Sequence, residues 1–256
     1  MRNICFILLI TTIWGSSCIE PPEESKGNLD IIFKARYETN PLILFQNTST
    51  GQSDPTSIIF KKLDFFISDI KGVMNNSNTI AFSDVGYISM ANSLNQTSSE
   101  EGTTFSIKDL PIGNYNQLKL GIGLSDNVNS TSPGSYPSSS PLGLNSNYWA
   151  SWNSYILCKL EGDIIQANSN TSSFLYHAGV NGMHQQEIYN YDFNISDGKT
   201  TQIVIYINAD ELFFKTGAEI DLINENQTHS GTTGSTEYNL AKKAIENLAN
   251  SLYIQS

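Results

Sequence analysis

Tyr115-Asn116-Gln117-Leu118-Lys119-Leu120-Gly121-Ile122-Gly123-Leu124 carries Leu118, Leu120, Ile122 and Leu124 at every second position. That is the period of a strand with one face in a core and the other toward water, because successive side chains leave opposite faces of a sheet. Ile203, Ile205 and Ile207 repeat the pattern. Working outward, strand-like segments are expected at 28–36, 42–46, 58–73, 80–89, 103–109, 115–124, 149–160, 173–178, 187–195 and 202–208. Turn chemistry at Asn75-Asn76-Ser77-Asn78, Pro111-Ile112-Gly113-Asn114 and Asp197-Gly198 separates them. Strands do not alternate with helices, which argues against a parallel α/β sheet. The expected fold is all-β, an antiparallel β-sandwich closed by a C-terminal α-helix.

The helix is read from Leu240, Ala244, Leu248 and Leu252, broadened by Ile245, with Ser235 or Thr236 as its cap. A short helical turn is expected at 209–214. Residues 125–147, rich in Ser, Asn, Pro and Gly, are too long for a mere connector and suggest a binding loop or an insertion. Residues 224–234, which contain His229, read as a second loop.

Composition narrows the function. With 25 acidic against 14 basic residues the net charge is −11. Nucleic acid is excluded as a partner, since its phosphates call for clustered Lys and Arg. Charged residues are 15% and aromatic residues 11% of the chain, the look of an extracytoplasmic β-protein. Arg2 followed by the apolar run 5–14 reads as a leader too short to span a bilayer. Gly15-Ser16-Ser17-Cys18 resembles a lipobox, which would make 1–17 a lipoprotein signal peptide and Cys18 the lipidated N-terminus. Residues 18–27, with Pro21-Pro22-Glu23-Glu24-Ser25, then form a tether, and 28–256 a single domain. The expected location is the cell envelope, lipid-anchored to the outer membrane on its periplasmic or surface face. Once Cys5 leaves and Cys18 is lipidated, Cys158 has no partner in its own chain, and its apolar neighbours point to a buried inert thiol.

Five segments carry a resemblance: Lys62-Leu63-Asp64-Phe65-Phe66-Ile67-Ser68-Asp69-Ile70, Leu110-Pro111-Ile112-Gly113-Asn114-Tyr115, Gly121-Ile122-Gly123, Trp149-Ala150-Ser151-Trp152-Asn153-Ser154-Tyr155 and Tyr176-His177-Ala178-Gly179. In this order the chain resembles the MbnP-like family of copper-binding proteins. The resemblance implies a non-enzymatic β-sandwich that binds copper through histidine. It also implies, in some members, a tryptophan oxidised to kynurenine by a dihaem peroxidase partner. An intact indole offers only an N–H donor and cannot ligate a metal, whereas the aryl amine of kynurenine can. Trp149 and Trp152 match the motif as candidate kynurenine sites. His177 is the principal candidate metal ligand, since imidazole suits copper, and His229 is the second. His184 matches no motif and reads as a solvated turn residue.

Other chemistry is poorly represented: the chain has no G-x-S-x-G elbow, H-E-x-x-H, P-loop or Rossmann glycine pattern. A second function class remains. Tyr148, Trp149, Trp152 and Tyr155 beside an Asn- and Ser-rich loop would suit a surface glycan-binding module with no metal. On one regular strand, however, Trp149 and Trp152 would leave opposite faces, at most one of them facing the core unless a bulge intervenes.

Overall fold

A computed structural model describes residues 25–229 and 231–255. The leader, Cys18 and most of the expected tether lie outside the described residues. The strands, in chain order, begin with β1 (Lys26–Tyr37), β2 (Asn40–Pro41), β3 (Thr48–Ser49), β4 (Ser57–Met74) and β5 (Thr79–Ser89). After helix α1 (Gln96–Glu101) come β6 (Thr103–Pro111) and β7 (Gly113–Ile122). Helix α2 (Asp126–Asn129) opens the long segment that leads to β8 (Tyr148–Trp149). Then follow β9 (Ser154–Ile165), β10 (Thr171–Gly179), β11 (Gln185–Ile195) and β12 (Thr200–Asn208). The chain closes with α3 (Glu211–Phe214), β13 (Gln227–His229), α4 (Thr236–Asn250) and β14 (Leu252–Ile254).

The strands form a sandwich. One sheet runs β14-β12-β1-β2 with β6 also on β1, and the larger runs β11-β7-β4-β9-β10-β13 with β3 and β5 on β4. Their facing sides meet in apolar contact, as where Phe33 of β1 meets Phe65 of β4 edge-on at 5.8 Å. Most pairings are antiparallel, as the alternating pattern implies. Two are parallel: β1 with β12, from Asn28↔Thr200 to Arg36↔Asn208, and β10 with β13, from Leu175↔Gln227 to His177↔His229. Neither arises from a βαβ unit, so neither leaves a sequence signature of its own.

Helix α4 is capped by the Ser235 hydroxyl, which accepts from the Tyr238 N–H at 3.1 Å. It buries Leu240, Ala241, Ala244, Ile245 and Leu248 and packs across β10, β11, β13 and α3. It stops at Asn250, and the following residues turn into β14, pairing Leu252 with Ile207; Leu252 thus belongs to a sheet edge and not to the helix. The segment 42–46, expected as a strand, is instead a turn whose backbone hydrogen-bonds Ala35, Ser93 and Phe60. Among the described residues no helix is long and apolar enough to cross a membrane.

Candidate functional site

The two faces of the large sheet differ sharply. Phe60, Leu63, Phe65, Cys158, Leu160, Phe174 and Tyr176 turn inward and are buried, Phe60 and Phe174 meeting edge-on at 5.9 Å. The opposite face of the same strands carries Asp64, Lys159 and His177 in one row, since Asp64 pairs with Lys159 and Lys159 with His177. The parallel pairing extends that row to position 229. Neighbouring strands lie about 4.8 Å apart, so residues 177 and 229, far apart in the chain, become neighbours in space.

His177 is held by Glu161, whose Oε1 lies 2.9 Å from Nε2, with side-chain exposures of 11% and 25%. A carboxylate only accepts, so this contact puts a proton on Nε2, and in the neutral tautomer Nδ1 is the basic nitrogen. Burial alone would raise the Glu161 pKa, but the hydrogen bond from His177 and the nearby Lys62 ammonium outweigh it and hold the carboxyl below its ordinary range. Lys62 Nζ is 3.3 Å from the same oxygen.

The long segment after β7 covers this face. Buried Asn129 accepts from the Tyr155 N–H at 3.0 Å, and the Tyr155 hydroxyl donates to Leu142 O at 2.8 Å. Lys159 is largely buried, and its Nζ donates to Ser146 O at 2.8 Å and Asn147 Oδ1 at 3.0 Å. Desolvation lowers its pKa, and a charge in that position needs those acceptors. The 125–147 stretch is therefore a fastened cover.

The expected strand 149–160 is broken at the cover's end. The Trp152 N–H bonds Trp149 O at 3.0 Å and the Asn153 N–H bonds Ala150 O at 3.2 Å, folding Trp149 back opposite Ser154. Asn153 has φ 52, a backbone conformation that Asn tolerates better than most residues. Trp149 and Trp152 consequently stack, with centroids 5.1 Å apart and planes 23° apart. Both are half-buried and neither enters the core, which corrects the expectation of opposite faces. The Trp149 ring lies 6.4 Å from that of His177. Trp152 rests on Gly179, where a Cβ would come within 2.8 Å of its ring. The next residue, Val180, has φ 55. A β-branched residue there is strained, a state that persists where surrounding structure enforces it.

His229 belongs to strand β13 and not to a free loop. That strand is fixed by the Thr228 hydroxyl, which donates to Glu237 O at 2.7 Å, and by the Tyr176 hydroxyl on Glu225 O. His184 is also not a solvated turn residue. Its Nε2 lies 3.1 Å from Ser68 Oγ, beside a cleft of about 330 Å³ lined by Ser125, Asp126, Asn127 and Gly182. Burial lowers its pKa, against the opposing pull of Asp69 and Asp126. The Cys158 thiol faces the core, and burial pushes it up to about 12, so it is no thiolate at neutral pH. Among the described residues no three His, Cys, Asp or Glu side chains form a metal-binding group.

Residues 26–235 match the model of the family described as MbnP. The chain belongs to the MbnP family. A solved structure of MbnP from Methylosinus trichosporium superposes with a TM-score of 0.52 at 9% sequence identity, covering 84% of this chain and 87% of that one. At that identity the likeness is one of fold. No curated protein sequence matches. Within this MbnP-family chain, His177, Trp149, Trp152 and the backbone of position 229 gather at one place. Glu161, Lys62, Lys159, Asn129 and Asn147 complete the surroundings and were missed in the sequence. A signal existed for two of them, since Lys159 and Glu161 interrupt an apolar strand at alternate positions.

Proposed function

We propose that this chain is an exported, non-enzymatic lipoprotein that binds copper at His177 and His229. The observation that carries the reading is the β10–β13 register, which makes those two positions strand neighbours beside a carboxylate that orients one imidazole. Two imidazoles are a sparse set, and among the described residues no group of three His, Cys, Asp or Glu could hold a metal ion. Kynurenine formation at Trp149 would add an amine donor beside His177, and Trp149 is the better candidate because its ring is the one against the imidazole. The conversion cleaves the indole C2–C3 bond, each carbon gaining one oxygen from O2 or from two H2O2 that leave two waters, and water then releases the C2 formyl group as formate. The oxidant is assigned to a dihaem peroxidase partner. Bound copper would supply redox or storage chemistry; Glu161 orients, Lys62 balances Glu161, and the cover limits water. The stacked indoles lie on each other and on Gly179, which favours this reading over an open aromatic platform for sugars.

The test is to purify the protein from its native host, measure copper by elemental analysis, and map Trp149 and Trp152 by peptide mass spectrometry. Copper bound near one equivalent, lost in His177→Ala with circular dichroism unchanged, supports the site. A mass change of one oxygen gained and one carbon lost at Trp149 supports the third donor. Absence of copper, unmodified Trp and retention on a glycan array abolished by Trp152→Ala would replace the reading with sugar binding. Anchoring is tested separately: Cys18→Ala should release the protein from the membrane fraction, and unchanged association would refute the lipid anchor.

A further inference from the structure

We propose that Lys159 and Asn147 react with each other to form an intramolecular isopeptide bond, which ties the cover covalently to β9. The two side chains are already in contact. Lys159 Nζ lies 3.0 Å from Asn147 Oδ1, and the carbon to be attacked is bonded directly to that oxygen. Such a pair has its proximity and orientation provided by the fold. Asn147 is 3% exposed, Lys159 8%, and Asp64, opposite Lys159 on β4, also 8%. Burial closes this place to an outside ligand, but a reaction between side chains already inside needs no entry path.

Three observations point to bond formation. First, the acceptors of Lys159 Nζ are both neutral, Ser146 O at 2.8 Å and Asn147 Oδ1, and among the described residues no carboxylate stands within ion-pair distance of it. An exposed ammonium in that position would have water instead; a buried one has not. Two acceptors serve both N–H bonds of a neutral amine and leave its lone pair over. Desolvation favours that neutral form, which is how a lysine becomes a nucleophile. Second, Asn147 Nδ2 donates to Pro141 O at 3.2 Å, so the amide is fixed with its oxygen toward the amine. Third, a proton carrier stands alongside: the Asp64 carboxylate accepts from Ser89 Oγ at 2.6 Å and from the Tyr87 hydroxyl at 3.3 Å, and Lys159 Nζ is 5.7 Å from the centre of the Tyr87 ring.

The step balances without an oxidant. Asp64 takes a proton from the Lys159 ammonium, and the lone pair so freed forms the Nζ–Cγ bond while the carbonyl π pair moves to Oδ1. The carbonyl then re-forms, the Cγ–Nδ2 bond breaks, and Nδ2 departs as ammonia with the proton held by Asp64. The second proton shed by Nζ passes through Asp64 and leaves with the ammonia as ammonium.

Trypsin digestion of the purified full-length protein, unfolded after purification, tests this by peptide mass. Lys119, Lys159 and Lys199 are consecutive basic residues, so an unlinked chain gives peptide 120–159 at its sequence mass. The linked chain should resist cleavage after Lys159 and give 120–199, lighter than its sequence by one ammonia, with no backbone fragments released from within 147–159. Asn147→Ala should restore cleavage after Lys159. Asp64→Asn should slow linkage roughly 100-fold, with circular dichroism confirming the fold. Free Lys159 in the folded wild-type protein overturns the proposal, as does an ammonia loss with cleavage after Lys159 intact, which marks an Asn closed on its own backbone. Linkage in Asp64→Asn at the wild-type rate overturns the role of the carboxylate. Oxidation of Trp149 or Trp152 changes the mass of the same peptide without blocking cleavage, so this result is independent of the copper reading.

Discussion

The inner and outer faces of the large sheet are made by the same strands, yet they are built for different ends. Inside, Phe60, Phe174 and Phe213 interlock, Phe60 and Phe213 being stacked at 5.9 Å. Outside, Asp64, Lys159, Glu161 and His177 sit under a cover of irregular chain. Burying apolar groups inside gives free energy without direction. Burying charged groups outside has a desolvation cost, and each must find a directed partner to offset it. The inner face thus holds the fold, and the outer face spends stability to hold geometry.

The sharpest test of that division is truncation. Ending the chain at Tyr238 removes Leu240, Ala244, Leu248 and the edge strand β14, each buried Leu being worth roughly 1.5–3 kcal/mol. The cooperative thermal transition should be lost or the protein should aggregate; an unchanged melting temperature would make the helix a passenger. Next in size, Phe60→Ala should cost about 3–5 kcal/mol in urea unfolding while the folded fraction keeps the copper affinity proposed above. A loss of copper without loss of stability would erase the distinction between the faces.

On the outer face the effects should reverse. Glu161→Gln should change stability at neutral pH by no more than about 1 kcal/mol but weaken the proposed copper binding roughly 10- to 100-fold in competition with a chelator. Because the Glu161 pKa is depressed in the fold, its contribution is present above the ordinary value of 4.5 and lost as pH falls below it. The variant should lack that acid sensitivity. Asn147→Ala removes one acceptor from the Lys159 ammonium and should cost about 1–2 kcal/mol, with faster proteolysis within 125–147.

The smallest effect concerns His184. Its pKa is lowered in the fold, mainly by burial, so the unfolded chain takes up the proton first as the solution is acidified. Stability should fall as pH drops below about 6.5, the ordinary histidine value, and His184→Gln should flatten that part of the curve. An unchanged pH profile would return His184 to the solvent.

Period-two alternation made the long strands legible, because each has one consistently buried side. Leu118, Leu120 and Ile122 are buried as the pattern implies. Two features escaped it. The Trp149–Trp152 fold-back depends on a four-residue turn without Gly or Pro at 150–153, which looks like continued strand. The neighbourhood of residues 177 and 229 depends on a three-residue parallel strand, too short for any period to show. Motif resemblance named those residues; only tertiary pairing put them together.

The parallel pairing of β1 with β12 has a consequence for the order of assembly. β1 is the first described strand, and it lies between β12 on one side and β6 and β2 on the other. Its longest uninterrupted register joins residues 28–36 to 200–208. Such non-local contacts are slow to form, because the intervening loop must close before the pairing repays it. During synthesis the first strand must therefore wait, paired at best with β6 and β2, until most of the chain has emerged. The small sheet can be completed only once the chain through residue 254 is present to supply β12 and β14.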